Sequence, residues 1–127
     1  MKTLMIMALS TLLSVLPGFQ RFDEPTPEDF QIISNTVTDG VRTIVAVPSP
    51  MVCSKQITIT IDAKTDVIQS AVFRGGCPGN LKAINKLLNG VTVQDAINKL
   101  DGIPCGNRPT SCTDQLARVL KACYKIN

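Results

Sequence analysis

Apolar and polar residues alternate over residues 56–62, where Ile57, Ile59 and Ile61 are separated by threonines. A period of two is typical of a β-strand with one buried face. Residues 67–73 supply a partner strand, and the short turn between the two segments predicts an antiparallel hairpin. This pairing places Cys53 opposite Gly76 or Cys77, so two cysteines distant in sequence are expected at one end of the same hairpin.

Another hairpin is predicted nearer the amino terminus. Residues 30–38 and 41–47 form two strand-like segments around Asp39-Gly40. Asp-Gly readily adopts the positive φ angles of a type I′ turn. Pro48-Ser49-Pro50 then interrupts any hydrogen-bond ladder, so a loop or bulge is expected there.

Three later segments repeat their apolar residues with the period of an α-helix. The first two stripes are Leu81, Ile84, Leu87 and Leu88, then Val93, Ala96, Ile97 and Leu100, each followed by a glycine that can end a helix. The third stripe is Leu116, Val119, Leu120 and Cys123. The order of elements predicts an α+β fold, an antiparallel sheet with about three helices packed on one face. Cys123 is expected in the core.

The amino terminus differs in composition from the rest of the chain. An apolar stretch lies within residues 1–20, and residues 21–29 are acidic and contain proline. We interpret residues 1–20 as a signal-like hydrophobic leader, 21–29 as a linker, and 30–127 as one domain. A functional leader implies export, whereas a mis-assigned start codon or a packing helix explains the same pattern without it. The stretch is too short for a comfortable membrane span, so no stable span is expected once it is removed.

Composition narrows the functional classes. The chain has no histidine, so the usual general base, the Ser-His and Cys-His nucleophile pairs and mixed Cys/His zinc sites are excluded. Only 4% of residues are aromatic, and the net charge of +3 comes from interspersed Lys and Arg. Nucleic-acid binding is therefore not expected. A metal would have to be bound by sulfur, with at most an added oxygen.

The chain has five cysteines, and no CxxC pair occurs among them. Cys77 and Cys112 are expected at helix N-termini, where free N–H groups and the helix dipole stabilise a sulfur anion. Ser111 and Asp114 form a capping-box-like start for the helix that follows. Cys105 lies in a loop of turn-forming residues. Metal ligation and disulfide bonding both remain open, because the redox compartment is not fixed by the sequence.

The cysteine-bearing segments carry a resemblance to the TSCPD family, named for a Thr-Ser-Cys-Pro-Asp motif. The matching segments are Val52-Cys53-Ser54, residues 73–81 (FRGGCPGNL), 102–106 (GIPCG) and 110–117 (TSCTDQLA). Thr113 replaces the proline of the motif, a change that the start of a helix accepts. The resemblance covers about residues 41–122.

The resemblance implies a metal site. A similar domain ends the adenosylcobalamin-dependent ribonucleoside-diphosphate reductases, where its cysteines are thought to bind metal. On this basis the ligands are expected to be Cys53, Cys77, Cys105 and Cys112. The helical half is also similar to iron-sulfur cluster assembly scaffolds, in which three cysteines and an acid hold zinc or a nascent cluster. That similarity adds Asp114 as an oxygen ligand.

The leading hypothesis is therefore a small metal-binding module with zinc, or with an iron-sulfur cluster. An accessory role beside a ribonucleotide reductase or a metal-delivery protein follows from the family, which also implies a cytoplasmic location. Catalysis by the chain alone is not expected, because radical reduction of a nucleotide needs a large barrel and a radical cofactor. Two alternatives remain, an iron-sulfur scaffold-like carrier and an exported structural protein with Cys53–Cys77 and Cys105–Cys112 disulfides.

Overall fold

A computed structural model describes residues 29–126 of the chain. Four strands are followed by three helices. The strands are β1 (Gln31–Thr38), β2 (Val41–Val47), β3 (Ser54–Asp62) and β4 (Val67–Gly75). The helices are α1 (Pro78–Leu88), α2 (Val93–Leu100) and α3 (Cys112–Tyr124).

All neighbouring strands pair antiparallel in the order β1-β2-β3-β4. Asp39 and Gly40, between β1 and β2, have φ angles of 52° and 78°. Both angles are positive, as a type I′ turn requires, so the prediction for this hairpin is confirmed. Residues 48–53 form the expected loop between β2 and β3.

The register of β3 against β4 controls where the first cysteines lie. Ile57 pairs with Phe73, and the last pair of the ladder is Ser54 with Gly75. The next residues outward are Cys53 and Gly76, with Cys77 immediately after. The sequence-based register is confirmed, and the hairpin brings Cys53 and Cys77 to the same end of the sheet.

The core lies between one face of the sheet and the helices. Isoleucines 44, 57, 59, 61 and 68 are fully buried in the same cluster as residues from all three helices. The alternation in β3 produces this face, since the threonines between the isoleucines are only half-buried. The α+β fold predicted from the sequence is confirmed.

One residue of the first predicted apolar stripe, Leu87, does not face the core. Leu81 and Leu88 are buried, but Leu87 is 70% exposed. The helical repeat from Leu81 passes through Asn85, whereas Leu87 lies on the far side of the helix. Asn85 uses that inward position to accept a hydrogen bond from the N–H of Ala71 in β4, at 2.7 Å.

The predicted leader at residues 1–20 and nearly all of the predicted linker at 21–29 lie outside the described residues. Within residues 29–126, no helix has both the length and the apolar character needed to cross a membrane.

Candidate functional site

The site begins with a contact between two cysteines from distant parts of the chain. The Sγ atoms of Cys53, just before β3, and Cys112, the first residue of α3, are 4.0 Å apart. Ser111 caps the helix as predicted, because its hydroxyl accepts a hydrogen bond from the N–H of Asp114 at 3.0 Å. The Cys112 sulfur therefore lies at the helix end where backbone N–H groups favour negative charge.

The neighbouring cysteines affect the pKa of Cys53. Repulsion between the two sulfur anions raises the pKa of Cys53 above its ordinary value, with Cys112 as the largest cause. Burial and the nearby Cys77 raise the pKa of Cys53 further. Cys77 and Cys112 therefore both lie close enough to Cys53 to affect the pKa of its thiol.

Cys77 is held at this end of the sheet by the turn from β4 into α1. Gly76 has a φ of +84°, and a Cβ on it would lie 2.8 Å from Leu81 Cδ1 and 3.4 Å from the Ser54 nitrogen. Only glycine fits both the backbone angle and this close packing. Cys77 is the N-cap residue of α1 and Pro78 is its first residue, as expected from the sequence.

Cys105 lies on the surface, in the loop between α2 and α3. Its carbonyl accepts a hydrogen bond from the N–H of Arg108 at 3.0 Å, and its side chain is exposed. No contact within residues 29–126 joins its sulfur to those of Cys53, Cys77 or Cys112. In the same range, no group of three or more Cys, Asp or Glu side chains is arranged to hold a metal ion.

The fifth cysteine is separate from the other four. Cys123 is half-buried and packs against the main core cluster from the last turn of α3. Burial raises the pKa of its thiol. Cys123 therefore lies at the edge of the core, and the expectation that it packs with the leucines of α3 is confirmed in part.

Asp114 is fully buried beneath the site, and both of its carboxylate oxygens are occupied. Oδ1 accepts from the N–H of Gly102 at 2.6 Å, and Oδ2 accepts from the Thr110 hydroxyl at 2.6 Å. Arg118 Nε lies 2.9 Å from Oδ2. The carboxylate therefore joins the end of α2, the loop before α3 and α3 itself, an arrangement that fits a structural role.

Gln115 and Thr110 extend this buried cluster, and sequence reasoning missed both. The Gln115 amide donates to the Thr110 hydroxyl at 2.9 Å and accepts from the N–H of Ser49 at 2.8 Å. Ser49 begins the turn that leads to Cys53. The signal for Gln115 was present, since it is a polar residue directly beside the apolar stripe of α3.

A further polar group is buried beside Cys53. Ser54 is 2% exposed, and its hydroxyl has no hydrogen-bond partner within the described part of the chain. A buried hydroxyl without a partner is costly unless something binds it. Among the described residues, Ser54 is therefore an unsatisfied buried polar group at the end of β3, directly after Cys53.

Comparisons with known proteins identify the family of this chain and no individual relative. Neither the curated proteins nor the solved structures contain a match to this chain. The family model described as the TSCPD domain matches residues 30–124, which include all five cysteines and nearly the whole described fold. The chain belongs to the TSCPD domain family.

Proposed function

We propose that this protein is a small metal-binding module in which cysteine thiolates hold one metal ion, most simply zinc. The observation that carries the proposal is the 4.0 Å separation of the Cys53 and Cys112 sulfurs. Two thiolates bound to one tetrahedral zinc ion, each at about 2.3 Å, lie roughly 3.8 Å apart. The pair therefore fits the metal with almost no movement.

The charges of the pair also favour a cation. Bringing two thiolates this close costs free energy, which is why the pKa of Cys53 is raised. A dication between the sulfurs converts that repulsion into attraction.

Cys77 and Cys105 complete the ligand set in this proposal. Cys77 is already near Cys53, and Cys105 lies in an exposed loop, so binding would draw the loop toward the pair. Soft thiolates select zinc or an iron-sulfur cluster over calcium or magnesium. Asp114 is left out of the ligand set, because its oxygens are already engaged by Gly102, Thr110 and Arg118.

A site filled by four thiolates leaves no position for a substrate, so we propose an accessory role without catalysis. The bound metal would tie the hairpin to α1 and α3 and present a fixed surface to a partner. The resemblance to the terminal domain of ribonucleoside-diphosphate reductases makes such an enzyme, or a metal-delivery protein, the first partner to test.

The deciding experiment measures metal content and the optical spectrum of protein purified without chelator. We expect one zinc ion per chain and no visible absorption, whereas an iron-sulfur cluster would absorb visible light. Cys112→Ser should abolish metal retention. Cys123→Ala is the matched control and should keep the metal at a cost of about 1–2 kcal/mol in packing. Metal-free wild-type protein, or equal metal loss from both variants, would reject the proposal.

The same sulfur contact favours a second candidate, a structural protein stabilised by a disulfide. The partner of Cys53 would then be Cys112, in contrast to the Cys53–Cys77 pairing expected from the sequence. All five cysteines are free thiols in the structure. Intact mass after thiol alkylation without reductant separates the candidates, since a disulfide removes two thiols from reaction and a released metal removes none.

A further inference from the structure

One edge of the sheet is only half covered. β4 is an outer strand, and two backbone hydrogen bonds of 2.8 Å close its first half. The Ile68 N–H donates to the Val91 carbonyl, and the Gly90 N–H donates to the Ile68 carbonyl. Next along the strand, the Ala71 N–H donates a hydrogen bond to Asn85 Oδ1. By the alternation of an antiparallel strand, Phe73 also turns its N–H and C=O away from β3, and no group within residues 29–126 pairs with them.

A groove of about 420 Å³ lies beside this open half of β4. Phe73 and Gly75 form its strand side, and Pro78, Leu81 and Lys82 form its helix side. The volume is in the range of ordinary ligand sites. Unpaired edge groups beside apolar side chains are the features that accept an added peptide strand.

The charges around the groove have one sign. β4 and α1 together carry Arg74, Lys82 and Lys86 and no acidic residue. The Lys55 side chain lies against Gly75 and adds another cation. Because successive side chains of a strand point to opposite faces, Arg74 lies on the face of the sheet away from Phe73 and the groove.

We propose that an extended peptide segment of a partner protein, with alternating apolar and acidic residues, binds here as a fifth strand beside β4. Its backbone pairs with Phe73. Its apolar side chains enter the groove, and its acidic side chains face Arg74 with further attraction from Lys82. Cys77 lies between Gly76 and Pro78, which both line the groove. The bound segment would therefore run beside Cys77. Its binding requires no metal.

The test uses a short fluorescein-labelled peptide in which valine and aspartate alternate, with a valine-lysine peptide as its control. Fluorescence anisotropy should show binding of the acidic peptide only, weakening as salt is added. Arg74→Glu should reduce the affinity about tenfold or more, because Arg74 lies on the face of the sheet that the acidic side chains occupy. Lys99→Glu, the same reversal of charge at an exposed position of α2, should leave the affinity unchanged.

Hydrogen exchange locates the bound peptide. The Phe73 amide should exchange quickly in the free protein and slowly in the complex. Failure of the acidic peptide to bind, equal binding of both peptides, equal effects of the Arg74 and Lys99 variants, or an unprotected Phe73 amide in the complex would each overturn the proposal. Cys112→Ser should bind the peptide as wild type does, so the outcome is separate from that of the metal hypothesis.

Discussion

At the scale of single residues, the buried polar side chains distinguish this domain from an ordinary α+β core. Asp114 and Gln115 are both fully buried, and each accepts a hydrogen bond from a backbone N–H of a distant segment. Hydrogen bonds to a buried charge contribute more than neutral ones, and losing one partner leaves the other unsatisfied. Within the motif that names the family, Thr110 and Asp114 therefore have a structural explanation that does not involve ligation.

Asp114→Asn tests this explanation. The amide keeps the shape of the carboxylate but removes its charge, and its NH₂ group faces donors where an acceptor is needed. We expect a loss of about 2–4 kcal/mol in the free energy of unfolding, measured by urea denaturation.

Asp101→Asn is the matched control for that variant. Asp101 makes a 3.1 Å ion pair with Lys121 in a partly exposed position. Exposed pairs of this kind contribute about 0–1 kcal/mol, so the control should unfold close to wild type. A similar small effect of Asp114→Asn would show that the buried cluster is not needed for stability.

At the scale of elements, the β3–β4 hairpin is the unit that places Cys53 and Cys77. Its turn is organised by Asp62, whose Oδ1 accepts from the N–H groups of Lys64 at 2.8 Å and Thr65 at 3.2 Å. These two bonds lower the pKa of Asp62 below its ordinary value of 3.8.

The lowered pKa predicts how acid affects stability. A carboxyl whose pKa is lower in the folded state contributes stability that is present above pH 3.8 and is lost as the pH falls through the folded value. Asp62→Asn imitates the protonated side chain. The melting temperature of the variant should therefore lie below that of wild type at pH 7, and the two should converge well below pH 3.8. A constant difference across that range would contradict the assigned cause.

At the scale of the whole molecule, the candidate site exists only because the sheet and the third helix meet. Cys53 and Cys112 are separated by 59 positions in sequence, and the buried Gln115–Ser49 hydrogen bond joins the segments that carry them. The contact between the two sulfurs therefore depends on the tertiary structure and not on the local structure of either segment.

Crosslinking tests that convergence. Dibromobimane, which joins two nearby thiols and becomes fluorescent when both have reacted, should link Cys53 to Cys112 rapidly in the native protein after removal of any metal. The rate should fall sharply in urea, where the sulfurs separate. Tryptic mapping identifies the pair, and a Cys53→Ser variant should lose that crosslink. Equal rates in native and unfolded protein would show that the fold does not bring the sulfurs together.

The sequence by itself determined the elements and much of their arrangement. Alternating isoleucines fixed the inner face of β3, and the Asp39-Gly40 turn fixed the first hairpin, because strand period and turn chemistry are local properties. The same local rules placed Cys77 and Cys112 at helix N-termini. The error at Leu87 arose from counting apolar residues without following the helical angle through Asn85.

Only the tertiary structure decided which groups meet. The proximity of Cys53 to Cys112, the burial of Asp114 by three segments, and the half-open edge of β4 depend on how α1 and α3 pack on the sheet. Residue periodicity says which face of an element is buried, but it does not say which distant residue lies across from that face. That choice is made by the summed packing and hydrogen bonding of the whole core, which no single segment encodes.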